Sequence, residues 1–427
     1  MATPAPEAKA DPRRAWSPPP RPEWLERFNA EAACMNPRGV VPLQPDELIE
    51  TAMRETGLSD FGDDDWREPF RILCDSLEAD GELNFWGRIR VRSEMLLLLR
   101  NRLEIEQTYK DHPEIEDERI VKPLLIIGQG RSGTSFLLNL LSASPGNGNV
   151  MTWEALHPCP PPEAATYETD DRIARGHLLA DQWNRVVPEV QAMHEHSGHI
   201  PQEDVPILAH SFRSIGHWMV LAPVHSYNAW MATADLEPAY RYHLRILKLL
   251  QWKNPRRQWV LKNSAALEEL PAMLRVYPDV CIVWPHRDPT KSVASTVSII
   301  GTMLWGQTDE PFKGNLLDQY MDPAGAAARL DRVIDLLEDG TVPAERVCHV
   351  LYRDLVADPV DTAERIHRFF DLPFGPESRA VLEQYMRDNP REARPPHRIS
   401  VETRAAVDRE REAFRRYMDT FGVPPEG

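Results

Sequence analysis

The sequence lacks a long apolar segment. Apolar runs such as residues 95–99 are far shorter than the roughly 18 residues that a helix needs to cross a bilayer. The N-terminus also lacks a charged region followed by an apolar one, which is the pattern of a secretion signal. We therefore expect a cytoplasmic protein with no transmembrane segment.

Cysteine is scarce as well. The chain has 5 cysteines among 427 residues, they are widely spread, and no two of them form a Cys-x-x-Cys pair. An odd number without such pairs argues against a disulfide framework and against a structural zinc site. We expect no bound metal.

Positive charge is in the minority. The sequence carries 49 Lys and Arg residues against 66 Asp and Glu residues, which gives a net charge of −17. Such a surface repels a phosphate backbone, so we expect no nucleic-acid partner. A small anionic ligand would need cationic contacts built into a pocket, and the placement of individual arginines and lysines is therefore informative.

The chain divides into three parts by composition. Residues 1–23 are rich in Ala, Pro and charge, and such segments bury too little apolar area to offset the entropy of ordering, so we predict a disordered tail. Residues 24–119 have the pattern of a helical segment, with few helix breakers at 85–109. Residues 120–427 form the third part, which contains a mainly helical insertion at 163–255.

The third part alternates strands with helices. Short, continuously apolar runs predict strands buried on both faces of a sheet, at residues 123–128, 258–261, 280–284 and 347–351. Each run is followed by a loop and a helical pattern, at residues 134–142, 265–276, 289–300 and 361–370. This alternation predicts an α/β fold with a parallel sheet flanked by helices.

A glycine-containing loop joins the first predicted strand to its helix. Residues 128–135 read Gly-Gln-Gly-Arg-Ser-Gly-Thr-Ser, and a strand–loop–helix unit directs backbone N–H groups and the helix dipole at one small volume. A tight structural turn would explain the same glycines. We predict an anion site built from Gly130, Arg131, Ser132, Gly133, Thr134 and Ser135.

The spacing of Gly128 and Gly133 approaches the nucleoside-triphosphatase loop GxxxxGK[ST]. Thr134, however, stands where that loop has its lysine, and the basic residue lies three positions earlier, at Arg131. No predicted strand clearly supplies the metal-binding aspartate of such enzymes. A P-loop nucleotide kinase or hydrolase therefore stays as an alternative.

Residues 130–136, Gly-Arg-Ser-Gly-Thr-Ser-Phe, resemble the 5′-phosphosulfate loop of sulfotransferases that use 3′-phosphoadenosine 5′-phosphosulfate (PAPS). That family shows Pro-(Lys/Arg)-Ser-Gly-Thr-(Thr/Ser)-aromatic, so Gly130 departs from the usual proline. The resemblance covers about residues 122–390 and implies a P-loop-like fold of the bacterial type. It also implies that Arg131 contacts the 5′-phosphate and sulfuryl oxygens and that Phe136 packs on the adenine.

PAPS carries a second phosphate, at the 3′ position, and the resemblance implies a second site for it. In the family an arginine at a strand end and a serine eight residues later hold this phosphate, and here they are Arg287 and Ser295. A ligand at the carboxyl ends of parallel strands would meet both loops. An Arg–Asp pair that caps the next helix is the alternative. Tyr352 matches a family tyrosine near the adenine, and Arg394 and Arg398 are further candidates.

Sulfuryl transfer to an alcohol requires a base for the acceptor proton and a cation for the leaving oxygen. We predict Glu154 as the base, because one branch of the family has a glutamate at this location. Lys262, at the end of a predicted strand, is the predicted cation, assisted by Arg131.

Histidines are the alternative bases. Cytosolic animal members of the family place a histidine two residues after the strand-end lysine, and this position is Ser264 here. His157, His196 and His199 remain as histidines that could take the proton instead of Glu154.

The sequence thus predicts an enzyme that moves a sulfuryl group from PAPS to a hydroxyl of a small-molecule, carbohydrate or lipid acceptor. The insertion at 163–255 is interpreted as the acceptor-site element. A P-loop kinase or hydrolase and a catalytically inactive PAPS-binding protein are the alternatives.

Overall fold

The structure, a computed structural model, describes residues 16–264, 266–313, 322–390 and 404–426. Its centre is a parallel sheet in the strand order β2, β3, β1, β4, β5. Numbered along the chain, the strands are β1 Leu124–Ile126, β2 Asn147–Gly148, β3 Gln258–Lys262, β4 Cys281–His286 and β5 Val347–Leu351. Strands β1, β3 and β4 are buried along their whole length, as expected where helices cover both faces of a parallel sheet.

The helices are also numbered along the chain, and they fall into three groups. Those before the sheet are α1 Glu23–Ala32, α2 Pro37–Val40, α3 Pro45–Thr56, α4 Arg67–Ala79 and α5 Phe85–Asp111. Those between β1 and β3 are α6 Thr134–Ser142, α7 Thr152–Leu156, α8 Asp171–Val186, α9 Val205–Leu208, α10 Ile215–Trp218, α11 His225–Met231 and α12 Glu237–Trp252. Those after β3 are α13 Leu270–Val276, α14 Pro289–Trp305, α15 Pro323–Glu338, α16 Tyr352–Ala357, α17 Pro359–Phe369, α18 Pro376–Asp388, α19 Arg404–Ala413 and α20 Arg415–Phe421.

An aspartate followed by a proline begins three of the helices around the sheet. Asp288, Asp322 and Asp358 cap α14, α15 and α17, and each carboxylate accepts a backbone N–H from the first turn. The proline that follows has no N–H to leave unpaired, and its fixed φ suits a helix start. The cap at Asp288 fixes the start of α14 directly after Arg287.

The N-terminal helices and the insertion share one hydrophobic core. Trp66 and Phe70 of the N-terminal segment pack on Phe212 of the insertion, with ring centroids 5.8 Å and 4.7 Å apart. The buried Arg102 of α5 donates from Nη1 to the carbonyl oxygen of His210 at 3.3 Å. Two regions that are distant in sequence therefore pack as one unit.

The predicted α/β fold with a parallel sheet is confirmed, and the four predicted strands correspond to β1, β3, β4 and β5. Strand β2 was not predicted because it consists of two half-buried residues, Asn147 and Gly148, without an apolar run. The helix predicted at 265–276 is shorter, with a 3₁₀ turn at Ala266–Glu268 before α13. Within the described ranges, no helix is long and apolar enough to span a membrane.

The predicted disorder of residues 1–23 does not extend to residues 16–22, which lie against the end of α14. Arg21 donates from Nη2 to the carbonyl oxygen of Trp305 at 2.7 Å, and its guanidinium lies 3.6 Å from the centroid of that ring. Trp305 in turn donates from Nε1 to the carbonyl oxygen of Pro19 at 2.9 Å. An aromatic partner therefore orders this proline-rich stretch, while residues 1–15 lie outside the described residues.

Candidate active site at the carboxyl edge of the sheet

Segments that follow three of the strands meet at the carboxyl edge of the sheet. The loop after β1 and the segments after β4 and β5 line a cavity of about 220 Å³, which we call the loop cavity. Its walls include Arg131, Thr134, Phe136, Arg287 and Tyr352. The structure therefore brings together the two loops that the sequence predicted to bind one ligand. Arg394 and Arg398 lie outside the described residues.

The backbone of the loop after β1 adopts an unusual conformation. Gly133 has φ of 97° and Arg131 has φ of 68°, so both lie in the left-handed region. For a residue with a side chain this region costs roughly 1–2 kcal/mol, and such strain persists where the surroundings enforce it. A Cβ at Gly133 would also lie 3.0 Å from Leu355 and 3.1 Å from Tyr352. The turn places Thr134, Ser135 and Phe136 of the first turn of α6 in the wall of the loop cavity.

The hydroxyl groups of this loop have different environments. Ser132 is buried and donates from Oγ to the carbonyl oxygen of Gln129 at 2.7 Å, which holds the turn together. Thr134 and Ser135 line the loop cavity. Ser132 thus supports the loop from inside, whereas Thr134 and Ser135 are the hydroxyls available to a ligand.

Arg287 joins the two loops. Its Nη1 donates to the carbonyl oxygen of Arg131 at 2.8 Å, and its guanidinium lies 4.1 Å from the ring centroid of Tyr352. Its Nε and Nη2 both donate to the carboxylate of Glu426, each at 2.8 Å. The neighbouring Asp288 caps α14 instead of pairing with Arg287, because its carboxylate accepts the backbone N–H of Thr290 and pairs with Arg411. The guanidinium is therefore oriented toward the loops and not toward the helix cap.

A second cavity of about 220 Å³ continues from the first, and we call it the junction cavity. It shares Arg131, Thr134 and Ser135 with the loop cavity and is also lined by Gly130, Lys262, Ser295 and Glu203. Ser295, in the first turns of α14, is a buried residue in the wall of this cavity.

Lys262 occupies the centre of this junction. The side chain is nearly buried at the end of β3, with Nζ 3.0 Å from Ser135 Oγ and 2.5 Å from Glu203 Oε1. A backbone hydrogen bond of 2.8 Å from Asp204 N to the carbonyl oxygen of Lys262 holds the glutamate beside the strand end. One ammonium group thus bridges the anion loop and a carboxylate.

A third and larger cavity, of about 480 Å³, opens from the junction between α5 and the insertion, and we call it the deep cavity. It shares His194, Glu203 and Val205 with the junction cavity. Most of its lining is apolar, including Ile89 and Leu97 of α5. The junction cavity shares lining residues with each of the other two, and Lys262 and Glu203 line it between the anion loop and the deep cavity.

The electrostatics keep Glu203 ionised. Burial raises the pKa of Glu203, but the charges of Lys262 and His194 and the hydrogen bond from Lys262 lower it more, so the net pKa lies below the ordinary value of 4.5. Burial lowers the pKa of His157 to about 4 and that of His196 to about 3. These two histidines line the deep cavity in the neutral form near pH 7. His199, in contrast, lies near Glu168 and lines none of the three cavities.

The structure does not bring Glu154 to Lys262. Glu154 is fully buried, its Oε1 lies 2.5 Å from Arg256 Nη2, and its Oε2 accepts the backbone N–H of Met151 at 2.8 Å. The carboxylate therefore caps α7 and neutralises a buried arginine, and it lines none of the three cavities. The role of Glu154 as a base stays a prediction that the geometry does not favour.

Glu203 was not predicted as a site residue from the sequence. It lies in the segment Gln202-Glu203-Asp204 at the end of a long irregular stretch, and no motif marks it. Its position depends on the tertiary hydrogen bond to β3, for which the sequence gives no local signal. Among the described residues, no group of three or more His, Cys, Asp or Glu side chains is arranged to hold a metal ion.

Comparison with known proteins gives consistent results. A family model described as the sulfotransferase family matches residues 123–376. The fold is similar to the crystal structure of sulfotransferase STF9 from Mycobacterium avium, with 27% identity, a TM-score of 0.75, and coverage of 90% of this chain and 97% of that one. Sulfotransferase STF1 from Mycobacterium tuberculosis H37Rv is also 27% identical, with a TM-score of 0.69 and coverage of 86% and 97%. A search of curated proteins gave no match.

Proposed function

This chain belongs to the sulfotransferase family, and we propose that it transfers a sulfuryl group from PAPS to a hydroxyl of a small-molecule, carbohydrate or lipid acceptor. One observation carries the proposal. Lys262 Nζ lies between Ser135 of the anion loop and Glu203 at the mouth of the deep cavity. A cation and a carboxylate are thus adjacent at the point where a donor and an acceptor would meet.

The loop cavity suits a donor with two anionic ends. Arg131 and the first turn of α6 supply one set of donors, and Arg287 supplies another. The bidentate contact of Arg287 with the Glu426 carboxylate supports this assignment, because the same fork geometry suits a phosphate. Phe136 and Tyr352 add aromatic surface for a base in the same cavity. These features support PAPS as the donor substrate.

The junction residues have distinct roles in the proposed step. The acceptor oxygen attacks sulfur, and the bond from sulfur to the bridging phosphate oxygen breaks. The leaving bisphosphate keeps that electron pair, and Lys262 stabilises the charge that grows on its oxygen. The acceptor proton passes to the carboxylate of Glu203, which is ionised because Lys262 and His194 lower its pKa. The deep cavity then holds the acceptor, which agrees with the interpretation of the insertion as the acceptor-site element.

Calorimetry with adenosine 3′,5′-bisphosphate (PAP) tests the donor, and a transfer assay with radiolabelled PAPS and simple phenols tests the reaction. We expect binding of one PAP per chain and label in the phenol product. PAP binding without transfer to any phenol or extract component would favour an inactive nucleotide-binding protein. Hydrolysis of ATP with Mg²⁺ in the absence of PAP binding would favour the P-loop hydrolase and overturn the proposal.

A further inference from the structure

The deep cavity contains a cation that the proposed reaction does not use. Arg90, on α5, lines this cavity. Its guanidinium lies 4.1 Å from the ring centroid of Trp183, and Nη1 donates to Gln182 Oε1 at 3.1 Å. Its Nε is buried without a hydrogen-bond acceptor. Within the described part of the chain, no carboxylate lies within ion-pair distance of Arg90.

The other charged groups that line the deep cavity each lie in contact with an ionisable partner. Glu203 contacts Lys262, and Glu94, one turn along α5 from Arg90, has Oε1 3.1 Å from His217 Nε2. Arg100 pairs with Glu55 at 2.5 Å. Arg90 has no carboxylate at ion-pair distance among the described residues, although the charge of Glu94 acts on it, and its Nε is an unused donor at a mostly apolar cavity. Burial lowers its pKa to about 10, so it is still charged near pH 7.

The charge of Glu94 partly offsets the effect of burial on Arg90, but the buried Nε has no acceptor, and a ligand anion would supply one. Trp183 and Gln182 hold the guanidinium in a fixed orientation, which reduces the entropy that binding must overcome. The protein's net charge of −17 opposes anionic ligands in general. An anionic acceptor would therefore need such a local cation, whereas an acceptor without an anionic group would leave the Nε donor of Arg90 unused.

We propose that the acceptor is an amphipathic hydroxy acid, whose carboxylate binds Arg90 while its hydroxyl lies at Glu203 and its apolar body fills the deep cavity. This inference rests on the proposed function only in placing the hydroxyl of the acceptor at Glu203. Arg90 and Glu203 come from separate walls of the same cavity, α5 and the end of the insertion's irregular stretch. A volume of about 480 Å³ lies within the range of cavities that enclose small organic ligands.

The test uses 4-hydroxyphenyl alkanoic acids of increasing chain length, each paired with its methyl ester. Calorimetry measures their binding to the full chain, with and without saturating PAP. For at least one chain length we expect the carboxylate to bind about 10- to 100-fold more tightly than the ester, the scale of charge-assisted hydrogen bonds. Arg90→Met should abolish this preference and leave ester binding unchanged. Where PAPS transfer is measurable, the KM of the carboxylate should be lower than that of its methyl ester.

Arg100→Met is the matched control, because Arg100 lines the same cavity but is already paired with Glu55. It should retain the preference for the carboxylate. Arg90→Lys keeps the charge without the planar fork, so it should retain part of the preference, and it carries the comparison if Arg90→Met does not fold. The inference would be overturned if the wild-type protein bound the acid and its ester equally well, or bound neither, at every chain length. It would also be overturned if Arg90→Met still preferred the carboxylate. A failure of PAP binding alone would count against the proposed function instead.

Discussion

The two sides of the junction are built in different ways. The donor side consists of loops that directly follow parallel strands, and each loop contributes residues that are close in sequence, as in the run from Gly130 to Phe136. The acceptor side is assembled from α5, the insertion and α14, whose contributions at Arg90, Glu203 and Met303 are each separated by a hundred residues or more. A strand followed by a loop and a helix fixes its own geometry, whereas a cavity between distant helices depends on the whole fold.

The first prediction tests whether the base belongs to the acceptor side. Glu203→Gln removes the proton acceptor but keeps the size of the side chain. We expect turnover to fall by about 10²- to 10⁴-fold, the usual range for loss of a general base. The affinity for PAP should change little, because Glu203 does not line the loop cavity. Transfer kinetics and PAP calorimetry on the same preparation measure both quantities.

Glu154→Gln is the matched control, because both substitutions neutralise a carboxylate that contacts a cation. It leaves Arg256 without its counter-charge, so we expect a loss of stability of about 3 kcal/mol, the scale for breaking a buried ion pair. Turnover per folded molecule should be preserved. If Glu154→Gln lost turnover and Glu203→Gln kept it, the base would be the one that the sequence suggested, and the contrast between the two sides would disappear.

The sequence could predict residues of the donor side better than residues of the acceptor side. Lys262 was found because it ends a strand whose apolar pattern is visible, and Arg287 was found because it directly follows another. Glu203 could not be found in this way. It reaches Lys262 only through the hydrogen bond from Asp204 N to the Lys262 carbonyl, which joins two segments more than fifty residues apart. Glu154 was preferred because one branch of the family has a glutamate at this location, yet the helix cap turns its carboxylate to Met151 and Arg256.

The second prediction concerns the donor side. Arg287→Ala removes a fork of donors from the loop cavity, so PAP should bind about 10- to 100-fold more weakly, while turnover at saturating PAPS should change less. Glu426→Gln removes the carboxylate that now occupies the fork. This half-exposed pair is worth at most about 1 kcal/mol, so PAP should bind up to about fivefold more tightly. Calorimetry checks both, and unchanged PAP affinity in Arg287→Ala would remove Arg287 from the donor side.

The smallest effect we predict lies at the boundary between the two sides. The pKa of Glu203 is held below 4.5 by Lys262 and His194. The carboxylate is therefore present above that depressed pKa and is lost as the pH falls through it, so the acid limb of kcat/KM should lie below pH 4.5. Lys262→Met removes the main lowering cause and leaves burial, which raises the pKa, so the acid limb should move to higher pH. A limb that stays in place, in a variant that still binds PAP, would show that Lys262 serves only the leaving oxygen and that the two sides do not communicate through it.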